Sequence, residues 1–231
     1  MWIVTKGKEQ RAENVAVILP YENDREYYIE ELGVVKNQPF YAFVKRAFDI
    51  LFALTFLTLL TVPMLIIAVI VRLSSSGRVL YFQKRLGLNG KEINVIKFRT
   101  MRKDAEADGV RWSAGDDDPR ITPVGRVLRK SHLDELPQLW CILVGHMSVV
   151  GPRPERPEYY DRFEQYIHGF SERLKVKPGL TGLAQVRGGY YLKPEEKIQY
   201  DVDYIKKRSL GLDLKIVLET IKVVFCGEGV K

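Results

Sequence analysis

The chain is poor in the residues that build disulfides and metal clusters. Its 231 residues include two cysteines, Cys141 and Cys226, and three histidines, His132, His146 and His168. The cysteines lie far apart without metal-ligand spacing, and the histidines form no ligand motif. This excludes a disulfide-stapled scaffold and marks both cysteines as reduced packing residues of a cytosol-facing protein. Also missing are internal repeats, low-complexity tracts, a P-loop pattern and any motif that reads RNA or DNA. What remains is a length sufficient for one domain with a real core, or one domain plus an appendage. The net charge of +7 and pI near 9.3 call for an anionic partner. Nucleic acid, anionic lipid and phosphorylated small molecules all qualify on charge alone.

Charge is itself absent from one long run. ILFALTFLTLLTVPMLIIAVIV, residues 50–71, holds 22 residues without a charged side chain. As a helix it extends roughly 33 Å, enough to cross a bilayer's hydrocarbon core. It starts too far into the chain, and is too long, for a cleavable signal peptide. Lys45 and Arg46 precede it and Arg72 and Arg78 follow it, so the positive-inside rule assigns no orientation. Pro63 must disturb a helix at the middle of the run. The segment either crosses once with a kink or turns back at Pro63 and leaves by the face it entered. Basic flanks on both sides favour the turn-back. The chain thus divides into an N-terminal extension (1–40), a membrane-inserted segment (41–73) and a cytosolic domain (74–231). Within the extension, ENVAVILPY reads equally as strand or helix.

The expected fold class is α+β, mostly helical with a small β-hairpin. GRVLYFQKRLG and KEINVIKFRT read as two strands joined around Asn89-Gly90, a hairpin signal. Residues 107–125 read as loop. Helical patterns follow at about 132–144, 155–168, 194–207 and 212–225, the last fit to pack on the core or to lie along a membrane. In SHLDELPQLW, Ser131 and Asp134 resemble a capping box. Leu133, Leu136, Trp140 and Leu143 recur as on one buried helix face.

That stretch also places Asp134 beside Glu135 in a basic neighbourhood. Adjacent helical side chains diverge by about 100°, so the two are poorly placed to share a proton. They suit two jobs instead, one a nucleophile and one a Mg²⁺ ligand. Cations and a helix start nearby are expected to lower the pKa of Asp134. Lys97 and Arg99 share one face of their strand, as a solvated edge or a phosphate clamp. GPRPERP holds Arg153 between Pro152 and Pro154, a rigid mount for one cation or simply a turn. KPGLTGLAQVRGG is glycine-rich and a weak phosphate cradle. Asp201 and Asp203 form a solvated helix face or supply a carboxylate to a metal or cation.

Taken in order, the motifs VKRAFDILFA, YFQKRLGLNGKEINVIKFRTMR, DPRITPVGRVLRKSHLDELPQLW, GHMSVVGPRPERP, VKPGLTGLAQVRG and YDVDYIKKRSLGLDLKIVLETI resemble the bacterial sugar transferase family, the monotopic polyprenyl-phosphate phosphoglycosyl transferases. The resemblance covers about residues 41–226. It implies transfer of a sugar phosphate from a UDP-sugar to polyprenyl (undecaprenyl) phosphate, with release of UMP. It implies Asp134 as the nucleophile that carries a covalent phosphosugar, and Glu135 as a Mg²⁺ ligand. Lys97 and Asp201 match further catalytic positions. Arg153 with Pro152 and Pro154 matches the nucleotide side, and Arg85 and Arg99 are phosphate contacts. It also implies a broken re-entrant membrane helix at the bacterial inner membrane, with the catalytic domain on the cytoplasmic face. The partners are membrane lipid and the two substrates rather than nucleic acid, with a homodimer left open. With only 40 residues before the membrane segment, the chain looks like the minimal catalytic form. It departs from the usual pattern at His132, commonly Ser, at His146, commonly acidic, and at Val62, Ser in some members. Two other classes compete: a lipid phosphotransferase with a similar anchor, and a non-catalytic basic module that binds anionic lipid or nucleic acid.

Overall fold

Proline sets where the helices begin. Pro39, Pro123, Pro157 and Pro194 each sit in the first turn of a helix, where a missing N–H costs nothing and the fixed φ is already helical. The computed structural model describes residues 25–107, 118–188 and 192–226. Its helices are α1 (Pro39–Leu59), α2 (Thr61–Ser74), α3 (Pro123–Lys130), α4 (Gln138–Leu143), α5 (Pro157–Phe163), α6 (Leu183–Arg187), α7 (Pro194–Lys207) and α8 (Leu210–Cys226). Its strands form three two-stranded sheets. β2 (Leu80–Leu86) and β3 (Glu92–Phe98) are antiparallel. β1 (Tyr27–Tyr28) runs parallel to β5 (Ile167–His168), and β4 (Ser148–Val150) parallel to β6 (Gly179–Thr181). The fold class is α+β, mostly helical. The stretches 13–21 and 108–117 lie outside the described residues, as does the side chain of Cys226.

The β2–β3 hairpin turns where expected. Asn89 and Gly90 adopt φ of 55° and 74°, the left-handed values that Asn and Gly tolerate best. The apolar run forms α1 and α2, bent by 63°. The bend falls at Leu60, not at Pro63. Pro63 lies in the first turn of α2 and has no N–H to offer the carbonyl four residues back, so the chain yields one turn earlier. Thr58 and Thr61 donate their hydroxyls to the carbonyls of Leu54 and Leu57, which favours bending at the same place. No single helix is long and apolar enough to cross a membrane among the described residues, but the bent pair is.

Polar side chains fasten this pair to the rest of the chain. Arg46 donates to the carbonyls of Ile142 and Leu143, both at 2.7 Å, closing the C-terminal end of α4. Buried Asp49 accepts from Ser148 Oγ at 3.0 Å and from the Val149 amide at 2.9 Å. Asp213 of α8 receives Lys45 at 2.7 Å and the hydroxyls of Tyr41 and Tyr204. Ala53, Ile93, Val95, Ile142, Met147 and Ile216 form the main core beneath these contacts.

Three expectations fail from the end of α3 through α4. Ser131 is no capping-box residue. It ends α3 and returns its hydroxyl to the Val127 carbonyl at 2.8 Å. The helix expected over 132–144 is two pieces, a 3₁₀ turn at Leu133–Glu135 and then α4. His132 enters that turn with φ of 56°, which breaks the path from α3. The residue types expected on one buried face are also misassigned. Trp140 is 53% exposed and Leu133 38%, whereas Leu139, Cys141 and Ile142 are buried. The 155–168 pattern shortens to α5 and is followed by β5. Helix α8 buries Ile216 against the core while Leu214, Leu218 and Ile221 stay exposed.

The glycines of KPGLTG have a packing role. A Cβ on Gly179 would lie 2.1 Å from the Gly151 amide nitrogen, and one on Gly182 2.1 Å from the Gly151 carbonyl. The β4 and β6 ends interlock only because these positions lack side chains. Gly151 N donates to Thr181 O and Gly179 N to Pro152 O, both at 2.9 Å. Gly179→Ala is therefore expected to destabilise the detergent-held protein by about 1–3 kcal/mol, read as a lower thermal midpoint. Gly211→Ala, with nothing within 4 Å of its added Cβ, is expected to change stability by less than about 1 kcal/mol.

Candidate active site

The site is built from three pieces that are distant in sequence. Strand β3 brings Lys97, the 3₁₀ turn brings Asp134 and Glu135, and the loop after β4 brings Arg153. They meet at Glu135. Lys97 Nζ donates to Glu135 Oε1 at 2.7 Å. Arg153 forks onto the same carboxylate, with Nη1 to Oε2 at 3.1 Å and Nη2 to Oε1. The side chains of Glu135 and Lys97 are 10% and 18% exposed, so this triad is screened little by water.

The two neighbouring carboxyl groups respond in opposite senses. Burial acts to raise Glu135, but Arg153 and Lys97 outweigh it and hold Glu135 well below the usual carboxylate range. Asp134 is pushed up to about 6, first by burial and then by the charge of Glu135. The charges of Lys97, Arg129 and Arg153 oppose that rise without cancelling it. The lowered pKa expected for Asp134 is thus corrected. Its cations are engaged one residue away. Among the described residues none donates a hydrogen bond to the Asp134 carboxylate, which leaves its oxygens open for chemistry.

The second layer fixes Arg153. Arg173 donates to the Arg153 carbonyl at 2.8 Å and pairs with Asp201 at 2.7 Å. Asp201 is 1% exposed. Burial raises its carboxyl despite Arg173. It therefore sits one arginine away from the cluster rather than in it. Arg85 pairs with Glu155 at 3.0 Å and donates to the Pro154 carbonyl at 3.0 Å, so it braces the loop of Pro152, Arg153 and Pro154. Its charge acts on Lys97. Arg99 is not brought to the cluster. It binds the carbonyls of Ser75 and Ser76, both at 2.7 Å, and holds the C-terminal end of α2. Asp203 pairs with Lys207 on the exposed face of α7.

Three contributors had weak sequence signals. Arg173 lies in FSERLKVK, without a motif of its own. Glu155 stands inside GPRPERP but is overshadowed by Arg153. His132 is mostly covered, and burial lowers its pKa while Glu135, Arg153 and Lys97 act on it. The left-handed backbone there, uncommon for a non-glycine residue, was not legible from spacing.

The fit to Mg²⁺ follows from the donor set. No group of three or more His, Cys, Asp or Glu side chains that could hold a metal occurs among the described residues. Glu135 already balances two cations. A divalent ion fits here only in the manner usual for Mg²⁺, through one or two carboxylates completed by substrate phosphate oxygens and water. Glu135 is the carboxylate that suits that manner, with Asp134 kept for attack.

Comparison with known proteins gives the family. The bacterial sugar transferase family pattern matches residues 40–227. A UDP-N-acetylgalactosamine-undecaprenyl-phosphate N-acetylgalactosaminephosphotransferase of Aeromonas hydrophila is 41% identical over 204 residues, 87% of this chain and 48% of that one. A UDP-glucose:undecaprenyl-phosphate glucose-1-phosphate transferase of Escherichia coli is 41% identical over 206 residues, 84% and 44% of the two chains. Against these the chain spans about half the relative's length. The exopolysaccharide production protein ExoY of Rhizobium meliloti is 39% identical over 214 residues, covering 87% of this chain and 92% of its own. The chain belongs to the bacterial sugar transferase family.

Proposed function

We propose that this chain is a phosphoglycosyl transferase that moves a sugar 1-phosphate from a UDP-sugar to polyprenyl phosphate, releasing UMP. The observation that carries this reading is the division between two adjacent carboxyl groups. Glu135 is clamped by Lys97 and Arg153, and Asp134 is buried with no hydrogen-bond donor on its carboxylate among the described residues. An Asp134 oxygen attacks the sugar-proximal phosphorus. The bond from that phosphorus to the bridging oxygen breaks, and UMP leaves with the electron pair. The enzyme then holds the phosphosugar as an aspartyl phosphate. A phosphate oxygen of the acceptor attacks the same phosphorus, the aspartyl bond breaks and the Asp134 carboxylate returns. The product is polyprenyl-diphosphate-sugar.

Charge governs both steps. In this reading Lys97 and Arg153 offset the negative charge gathering on the transferring phosphoryl group, and Arg85 keeps the Arg153 loop in place. When bound with substrate, Mg²⁺ would neutralise diphosphate charge, with Glu135 as its protein ligand. Asp201 acts through Arg173, as a positioning residue for the Arg153 loop. The relatives' names give UDP-glucose and UDP-N-acetylgalactosamine as donors and undecaprenyl phosphate as acceptor. This supports a UDP-hexose or UDP-N-acetylhexosamine donor, and the name of the Rhizobium meliloti relative supports a role in exopolysaccharide assembly.

We place α1 and α2 in the bacterial inner membrane as a broken re-entrant element, with the domain on the cytoplasmic face. Exposed Leu51, Leu59, Val62, Leu65, Val69 and Leu73 support this. So do the basic ends of the pair, both of which then stay in the cytoplasm.

Two outcomes follow. With UDP-sugar and Mg²⁺ but no acceptor, the wild-type protein is expected to release one burst of UMP and gain the mass of a phosphosugar. Asp134→Asn is expected to lose the adduct and at least about 10³-fold of the turnover. An unchanged burst in that variant would falsify the nucleophile assignment. Glu135→Gln leaves Lys97 and Arg153 opposed without their carboxylate. It is expected to cost about 3 kcal/mol of stability together with most of the activity. A thermal midpoint equal to wild type would show that the triad does not hold the site together.

A further inference from the structure

The misassigned face of α4 carries an inference about the acceptor. Leu133, Leu136, Trp140 and Val144 follow at three-, four- and four-residue spacing through the 3₁₀ turn and α4. Such a row is ordinarily buried. Here only Leu136 is covered, by the cluster of Ile67, Val71 and Leu128. Leu133, Trp140 and Val144 are 38%, 53% and 44% exposed. They are not the core side of the helix, which is formed by Leu139, Cys141 and Ile142. The row starts at the residue before Asp134. Its covered member, Leu136, packs on Ile67 and Val71 of α2, so the row begins against the bent pair.

The nucleophile end of the row is cationic. Arg129 and Lys130 form the last turn of α3, and the charge of Arg129 acts on Asp134. An exposed apolar strip that ends in cations beside the nucleophile matches an amphiphile with a long apolar tail and a phosphate head. We infer that Leu133, Trp140 and Val144 seat the first isoprene units of the polyprenyl phosphate acceptor and aim its phosphate at Asp134. This rests on the reaction proposed above. The place of the charge selects this occupant over the bilayer at large, because anionic headgroups draw cations anywhere along an interface, whereas Arg129 closes the strip at the nucleophile itself. It also explains how one enzyme can separate its two substrates. The nucleotide sugar is held by the Arg153 loop, and the lipid approaches from the α4 side.

The test separates the two half-reactions on the full chain in nanodiscs. Wild type, Trp140→Gln, Trp140→Phe and Val144→Asn are compared for the UMP burst without acceptor. They are then compared for turnover against a long-chain polyprenyl phosphate and a short, water-soluble one. The Gln and Asn variants are expected to keep the burst and to raise the long-chain acceptor KM about tenfold, the effect of losing most of one buried apolar side chain. The loss should shrink with the short acceptor, and Trp140→Phe should stay near wild type. The inference is overturned by an unchanged acceptor KM or by a burst that falls in parallel. It is equally overturned by variants that only detach from the nanodisc while the acceptor KM holds, which would assign the strip to bulk lipid. Should Trp140→Gln fail to fold, Val144→Asn carries the same readout. A wild type without any burst would instead sink the proposed reaction, a failure distinct from these.

Discussion

The clamp on Glu135 is the interaction on which the rest of the site depends. Lys97 comes from a strand, Arg153 from a proline-framed loop and Glu135 from a 3₁₀ turn. Nothing local holds these three together. A buried cation without its counter-ion is costly, so each piece is stable in place only when the others arrive. The outer contacts serve this meeting. Arg173 holds the Arg153 carbonyl and Asp201 neutralises Arg173. Arg85 ties the Pro154 carbonyl to Glu155 and β2. Gly151, Gly179 and Gly182 let two backbones touch beneath the loop. The position of one carboxylate is thus set by contacts that reach from residue 85 to residue 201.

The same logic links the site to the apolar pair. Arg46 closes α4 at its far end and Asp49 fixes the start of β4. Arg99 holds the end of α2 from the end of β3, two residues beyond Lys97. The two arms are therefore pinned on either side of the 3₁₀ turn that carries Asp134. Charged groups within reach of an apolar segment are tolerable here because each has partners. Displacing the pair would move α4 and β3 together, and with them the turn between.

How much of this was legible in the sequence depends on the range of the interaction. Asn89-Gly90 turned as read because the left-handed backbone is a local preference of those residues. The helix over 194–207 appeared with its ends intact because Pro194 starts it and its pattern is regular. The break in the apolar run was foreseen from Pro63, but a missing N–H acts on the preceding turn, and the bend lies at Leu60. The segment 131–144 misled for the opposite reason. Its spacing is helical, yet His132 departs from helical backbone to aim two carboxyl groups. A local rule broken at one point is often the mark of a functional turn. Lys97, Glu135 and Arg153 were each identifiable as candidates, but their convergence on one carboxylate was not. Arg99 was a plausible phosphate contact on its strand face, yet three-dimensional packing gave it carbonyls instead. Arg173 has no local signal because its role exists only against a loop some twenty residues earlier.

Adjacent acidic residues usually compete for the same environment. Here a single step along the chain separates them. Glu135 takes both cations and stays ionised, while Asp134 bears the burial and the repulsion of its neighbour. Two like groups acquire different chemistry from surroundings alone, the pattern by which one site assigns distinct roles to paired carboxyls. A carboxylate already tied by two hydrogen-bonded cations is a poor nucleophile, because those cations draw off the charge it would bring to the attack. One that is buried, untied and raised toward neutrality is more basic and freer to attack, provided it is ionised when the donor arrives. The cations on Glu135 therefore do two things at once. They keep the second charge from forcing Asp134 to remain protonated at neutral pH, and they leave Asp134 without a hydrogen-bond donor among the described residues. Moving either cation onto Asp134 would weaken the nucleophile by the same contact that stabilised its charge.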